Sequence, residues 1–313
     1  MCRLLVPGAP PASPSTTPRS RRWGLAPEDW TICTYGDDNA RVVLSSMLAS
    51  SALRQVPAMA ADTLAFDRAA LMSLLGNLRI SSVSGFRAGR INFADIEASG
   101  WRAFADSGDV YGNTSSPQPH YQAQMWAAWL LAWARTGYEP FYTRAEAGIA
   151  STMAAGYPEQ WRWTEYLTEE RGRLLLAVAW LARADSARGA RVPRHDAWLE
   201  LLTGDLIATQ DAATGGITER LGTPGLCDAC PPSSNADYGS GEAPLIQTDA
   251  DAHTTDQLYG NNYYIVSLTE AARALPQPAP WLQQRQRPYG AWRSILQPSK
   301  LRAPSFQACL GRG

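Results

Sequence analysis

The chain has 313 residues, 45% of them apolar, and a formal net charge of -1. That is enough chain for one large domain or two ordinary ones with a substantial core. Near-neutral charge excludes a protein that grips nucleic acid through a basic stripe, and no apolar run approaches the roughly 20 residues that span a bilayer.

At the start, Leu4 to Val6 before Pro7 is too short an apolar run for a signal peptide, so the compartment stays open. Residues 1–28 are rich in Pro, Ser and Arg without periodicity and are expected to be disordered. The pattern then turns strongly helical across a domain expected to span 29–275. A first helix is expected over Asp37 to Leu53, with Val42, Val43, Met47 and Leu48 at turn spacing and two aspartates suited to a positive helix start. A second is expected over about 60–79. An irregular stretch follows, with a short strand pair expected in it. The third helix opens at Pro119 and runs to about 136, the fourth covers about 139–155 after Gly137, and the fifth about 164–184. The sixth is expected at about 195–210, before a loop over 211–241 rich in Gly, Pro, Ser and Asp; the seventh occupies about 254–274. From about 276 a Pro-, Arg- and Gln-rich irregular tail resumes the texture of the beginning, as a natural tail, a truncation or a shifted reading frame would.

The third and fifth helices are apolar almost all round, as buried helices are, whereas the fourth and sixth are more amphipathic. Alternating buried and outer helices form a helical-hairpin repeat. Trp126, Trp129, Trp133 and Trp180 fall at core spacing and are expected to pack rather than to bind sugar.

The segments YGDDNARVVL (35–44), PHYQAQMWAAWLLAWARTG (119–137), YPEQWRWTEYLTEERGRLLLAVAWL (157–181) and SNADYGSGEAPLIQ (234–247) resemble the six-hairpin glycosidase-like group. The resemblance is one of architecture and implies an all-α fold, here an incomplete (α/α)6 toroid. Six hairpins make about twelve helices, and seven are read here, so the ring is cut short or is an open arc. It also implies an oligo- or polysaccharide substrate, met by inner-helix ends and their loops, and no cofactor, nucleic acid or membrane.

Glycoside hydrolysis needs two carboxyl groups flanking the scissile bond, and three acidic spots supply candidates. The first is Tyr35-Gly36-Asp37-Asp38 with Arg41, in which Asp37 and Asp38 read either as catalytic carboxylates or as helix-capping acids. The second is Trp161, Arg162 and Trp163, a flat platform for sugar rings, followed by Glu170 on the stripe of Leu174, Ala177 and Leu181. A carboxylate on that packed side is either functional or paired with an arginine such as Arg41. The third is Glu242 between glycines, beside Tyr238, in a loop facing a cleft or in an ordinary turn.

His120 and Tyr121 open the third helix and, with Arg162, suit a polysaccharide lyase that removes a proton next to a uronate carboxylate. That is the enzymatic alternative to a hydrolase; a non-catalytic carbohydrate-binding or truncated helical fragment is the other. His195, beside Asp196, is expected to be solvated. Cys227 and Cys230 form a lone C-x-x-C with no second ligand pair, and Asp249, Asp251, His253 and Asp256 match no calcium loop, so no metal is expected.

Overall fold

In the computed structural model, the described residues are 34–87, 90–91, 94, 98, 117, 119–157, 168–210, 217, 245–247, 254–256 and 260–275. They form α1 (Gly36–Leu53), a 3-10 helix (Pro57–Asp62), α2 (Thr63–Arg79), α3 (Pro119–Thr136), α4 (Glu139–Ala154), α5 (Thr168–Ala187), α6 (Pro193–Ala208) and α7 (Gly260–Ala274). Four short strands accompany them: β1 (Thr34–Tyr35), β2 (Arg90–Ile91), β3 (Leu245–Gln247) and β4 (Thr254–Asp256), paired antiparallel as β1 with β2 and β3 with β4. The fold class is all-α. In the stretch after α2, Ser81 and Arg87 form an isolated antiparallel bridge, and β2 pairs with β1 just before α1.

Local chemistry sets the hairpins. Gly137 (φ 67°) follows the last residue of α3 and Gly189 (φ 80°) follows α5, in the left-handed conformation that stops a helix. Proline stands at or next to the first residue of α4 and α6 and at the first residue of α3, where a missing N–H costs nothing. Tight stops followed by primed starts fold α3 back onto α4 and α5 back onto α6.

The helices lie in two layers. α1 packs on α3, α3 on α5 and α5 on α7, while α2, α4 and α6 each pack against the inner helix preceding them. The inner helices run parallel, because their first turns meet at one end and their last turns at the other. Gly36 of α1 lies against Tyr121 of α3, and Arg173 of α5 reaches Asp37 of α1 and Tyr263 of α7. Toward the far end, Arg135 Nη2 of α3 donates to the Met47 carbonyl of α1 at 2.8 Å, and Trp180 Nε1 of α5 donates to Glu270 Oε2 of α7 at 2.8 Å.

The core sits between the layers. Trp126 and Trp129 are buried, donating to the carbonyls of Gly85 (2.8 Å) and Leu74 (3.3 Å). Trp180 is buried as well, and Trp133 packs at the core margin against Tyr142. All four therefore pack, as their spacing predicts. Losing an indole of this kind costs about 3–5 kcal/mol.

Two expectations are corrected. The seventh helix begins at Gly260, not near 254, because Thr254–Asp256 is strand β4. His195 is buried, at 1% exposure, and its partner is Asp185 rather than the adjacent Asp196, which pairs with Arg191. His195 Nδ1 lies 2.7 Å from Asp185 Oδ2, and Tyr142 Oη donates to Asp185 Oδ1 at 2.6 Å. Arg194 Nε donates to His195 Nε2 at 3.2 Å. Asp185 offers a carboxylate oxygen, which accepts, so His195 Nδ1 donates to it. Three helices, α4, α5 and α6, are tied by this buried relay, with Trp198 lying against the imidazole at 5.1 Å. Among the described residues no helix is long and apolar enough to cross a membrane.

Candidate functional site

The sequence places its acids at inner-helix starts, and the fold gathers those starts. The β1–β2 ladder, Thr34 opposite Ile91 and Tyr35 opposite Arg90, fixes the chain immediately before α1. Gly36 then passes so close to α3 that a Cβ there would lie 2.6 Å from the Tyr121 carbonyl oxygen. Any side chain would push the two helix starts apart.

Asp37 is buried and forms ion pairs with Arg41, one turn along α1, and with Arg173 Nη1 of α5 at 3.7 Å. Arg173 in turn holds Glu169 in its own first turn, its Nε donating to Glu169 Oε1 at 2.8 Å. Its guanidinium also lies over the Tyr263 ring of α7, 4.8 Å from the centroid. One wholly buried arginine thus joins the starts of α1, α5 and α7. Removing one partner of such a buried pair costs about 3–5 kcal/mol, since the other charge is left without compensation.

The neighbouring acids differ from each other. Asp38 keeps its side chain 49% exposed, with Arg41 Nη1 3.4 Å away. Glu170 is 1% exposed, on the packed side of α5 as its stripe predicts. Arg41 is engaged by Asp37 and Asp38. A supporting layer lies behind: Arg87 Nη1 donates to Asn77 Oδ1 at 2.6 Å, and Gln122 Nε2 donates to the Arg87 carbonyl at 3.3 Å.

On the outer side of the same end, Arg171 Nε donates to Tyr157 Oη at 2.9 Å, and that phenol donates to Asp205 of α6. Burial pushes the Tyr157 phenol well above the usual tyrosine range; the bond to Asp205 adds to this and Arg171 opposes it. Tyr157 is therefore a neutral hydrogen-bonding group and not a ready base.

Of the residues singled out from sequence, Asp37, Asp38, Arg41 and Glu170 come to one end of the inner row. Tyr121 joins them through the first turn of α3, where His120 also stands, and Tyr35 is in β1. Trp161, Arg162, Trp163, Tyr238 and Glu242 lie outside the described residues, as do Cys227, Cys230, Asp249, Asp251 and His253, and the terminal segments 1–28 and 276–313. Sequence reading missed Arg173, Tyr157 and Asp205. Arg173 had a signal, the Glu169–Arg173 spacing of four on a helix, but Tyr157 and Asp205 meet only through tertiary packing. Among the described residues no group of three or more His, Cys, Asp or Glu is gathered as a metal ion would require. The chain matches no protein-family model, no curated protein and no solved structure.

Proposed function

We propose that the end of the molecule where α1, α3, α5 and α7 begin is a carbohydrate-cleaving site of glycoside hydrolase type, on an incomplete toroid of helical hairpins. The observation that carries this reading is the Arg173 bridge. It sets the acidic pair Asp37–Asp38 beside the acidic pair Glu169–Glu170 at one end of the inner row. The first acid of each pair is bridged by Arg173. The second, Asp38 or Glu170, belongs with Glu242 in the pool for acid and base, since hydrolysis needs two such groups across the scissile bond. Tyr121 and the sequence-predicted platform of Trp161, Arg162 and Trp163 would contact sugar rings, whose apolar faces stack on flat side chains.

The test is mass spectrometry of products after incubation with neutral and acidic oligosaccharides. Fragments summing to substrate plus one water are expected, and Glu170→Gln should lower the rate by about 10²–10⁴-fold, the range for a lost general acid or base. Circular dichroism would confirm that the variant keeps its helices. Near-normal rates would remove Glu170 from the pool. Fragments summing to the substrate alone, with new ultraviolet absorbance, would replace hydrolysis by elimination at His120 and Tyr121. No cleavage anywhere in the panel would overturn the enzymatic reading.

A further inference from the structure

The start of α6 holds a buried titratable ring at the end of the molecule opposite the candidate site. His195 sits between carboxylates from two other helices. On one side, Nδ1 donates to Asp185 Oδ2 of α5 at 2.7 Å. On the other, Nε2 lies 3.5 Å from Glu146 Oε1 of α4. Arg194 competes for that second nitrogen: its Nε donates to Nε2 at 3.2 Å, while its Nη2 pairs with Glu146.

The surrounding groups differ in how far they can move. Asp185 is held at both oxygens, by His195 and by Tyr142 Oη of α4 at 2.6 Å. Tyr142 is itself covered by Arg188, 4.2 Å from the ring centroid. Asp196, next to His195 in sequence, is taken by Arg191, which also donates to the Ala274 carbonyl of α7 at 2.9 Å. Arg194 has a way out, because its side chain is 58% exposed.

We infer that His195 is a proton-operated latch between α4 and α6. With the ring neutral, Nε2 is an acceptor and takes the Arg194 N–H. With the ring protonated, Nε2 becomes a donor, and two cationic donors face each other at 3.2 Å. Arg194 then leaves for water, a small loss for a surface ion pair. Glu146 closes on Nε2 by about half an ångström, which turns 3.5 Å into an ordinary hydrogen bond. The α4–α6 tie thereby moves from an exposed arginine pair to the buried ring, and the surface gains an unpaired arginine. Trp198 keeps a cation over its face in both states. Arg194 lies 5.7 Å from that ring's centroid in the first, and the imidazolium of His195, 5.1 Å away, replaces it in the second. The latch does not rest on the carbohydrate reading.

The test follows the emission of Trp198 as the pH of the full chain is lowered from about 8 to about 5, the range in which histidine can switch charge. A stacked imidazolium quenches an indole far more than a neutral imidazole does, and subtracting the Trp198→Phe signal removes the other tryptophans. Wild type should lose Trp198 emission in one step with helical circular dichroism unchanged, and the Arg194 Nε–H resonance should shift at the same midpoint. Glu146→Gln should move the step to lower pH and Arg194→Met to higher pH, since one removes an anion beside the imidazolium and the other a cation. These two surface variants decide the matter even where His195→Gln fails to fold. A wild type without the step would overturn the proposal, as would a step that survives in folded His195→Gln. So would shifts of the same sign in the two surface variants, or an Arg194 resonance indifferent to the step.

Discussion

Single side chains here are buried or charged in ways that their immediate neighbours in sequence do not announce. Tyr142 is an instance. Burial foremost, then its hydrogen bond to Asp185, push its phenol far above the tyrosine range, while Arg188, stacked 4.2 Å from the ring centroid, pulls the other way. A group whose folded pKa is raised stabilises fully below its unfolded pKa, about 10 for tyrosine, and that stability is lost as pH rises toward the folded value. Melting temperature should therefore fall as pH rises above about 10, and Tyr142→Phe should flatten that fall while lowering the temperature at neutral pH. An unchanged alkaline limb in the variant would sink the assignment. The burial of His195 could not be read from sequence, because Asp185, ten residues upstream, meets it only when α5 folds back onto α6. Arg173 was within reach of sequence reading as a partner for Glu169, but its bridge to Asp37, 136 residues away, was not.

At the scale of elements, periodicity and punctuation carried most of the information. α3 and α5 read as inner helices because apolar residues surround them, and Pro119 and Gly137 mark real ends. The reading failed where tertiary pairing overrode local preference. The second helix, expected from about 60, begins at Thr63 behind a 3-10 helix, and 254–256 pairs as a strand instead of extending α7. Close helix packing gives a signed prediction for two glycines. A Cβ on Gly148 of α4 would lie 2.4 Å from the Trp126 ring, whereas one on Gly204 of α6 meets nothing within 4 Å. Alanine is favoured over glycine inside a helix by about 1 kcal/mol, so Gly204→Ala should stabilise by up to that amount. Gly148→Ala should destabilise by about 1–3 kcal/mol, since the indole has no room to yield. Urea denaturation of the two variants decides it, and equal effects would show that the α3–α4 contact is looser than described.

For the whole molecule, the two-layer row has ends, and its ends should open first. α3 and α5 have inner helices on both sides, whereas α1 and α7 each have one. Local opening follows packing density, so amide hydrogen exchange should be slowest in α3 and α5, faster in α7 and fastest in α2. Uniform protection across all seven helices would mean that the row unfolds only as a unit. The layering was legible in sequence from the contrast between all-round apolar and amphipathic helices, and the parallel run of the inner row follows from alternation alone. Which first turns touch was not legible, because it depends on the side chains bridging them.

The opposed directions of the layers have an electrical consequence. At the end where the inner helices start, their first-turn N–H groups face outward in one layer, while the outer helices finish there with their last carbonyls in the other. Each terminus carries about half an elementary charge, so this end face is polarised from one layer to the other, positive over the inner helices and negative over the outer ones. Four acids, Asp37, Asp38, Glu169 and Glu170, stand on the positive side of that gradient. The backbone itself supplies part of the countercharge that lets carboxylates crowd into so small an area.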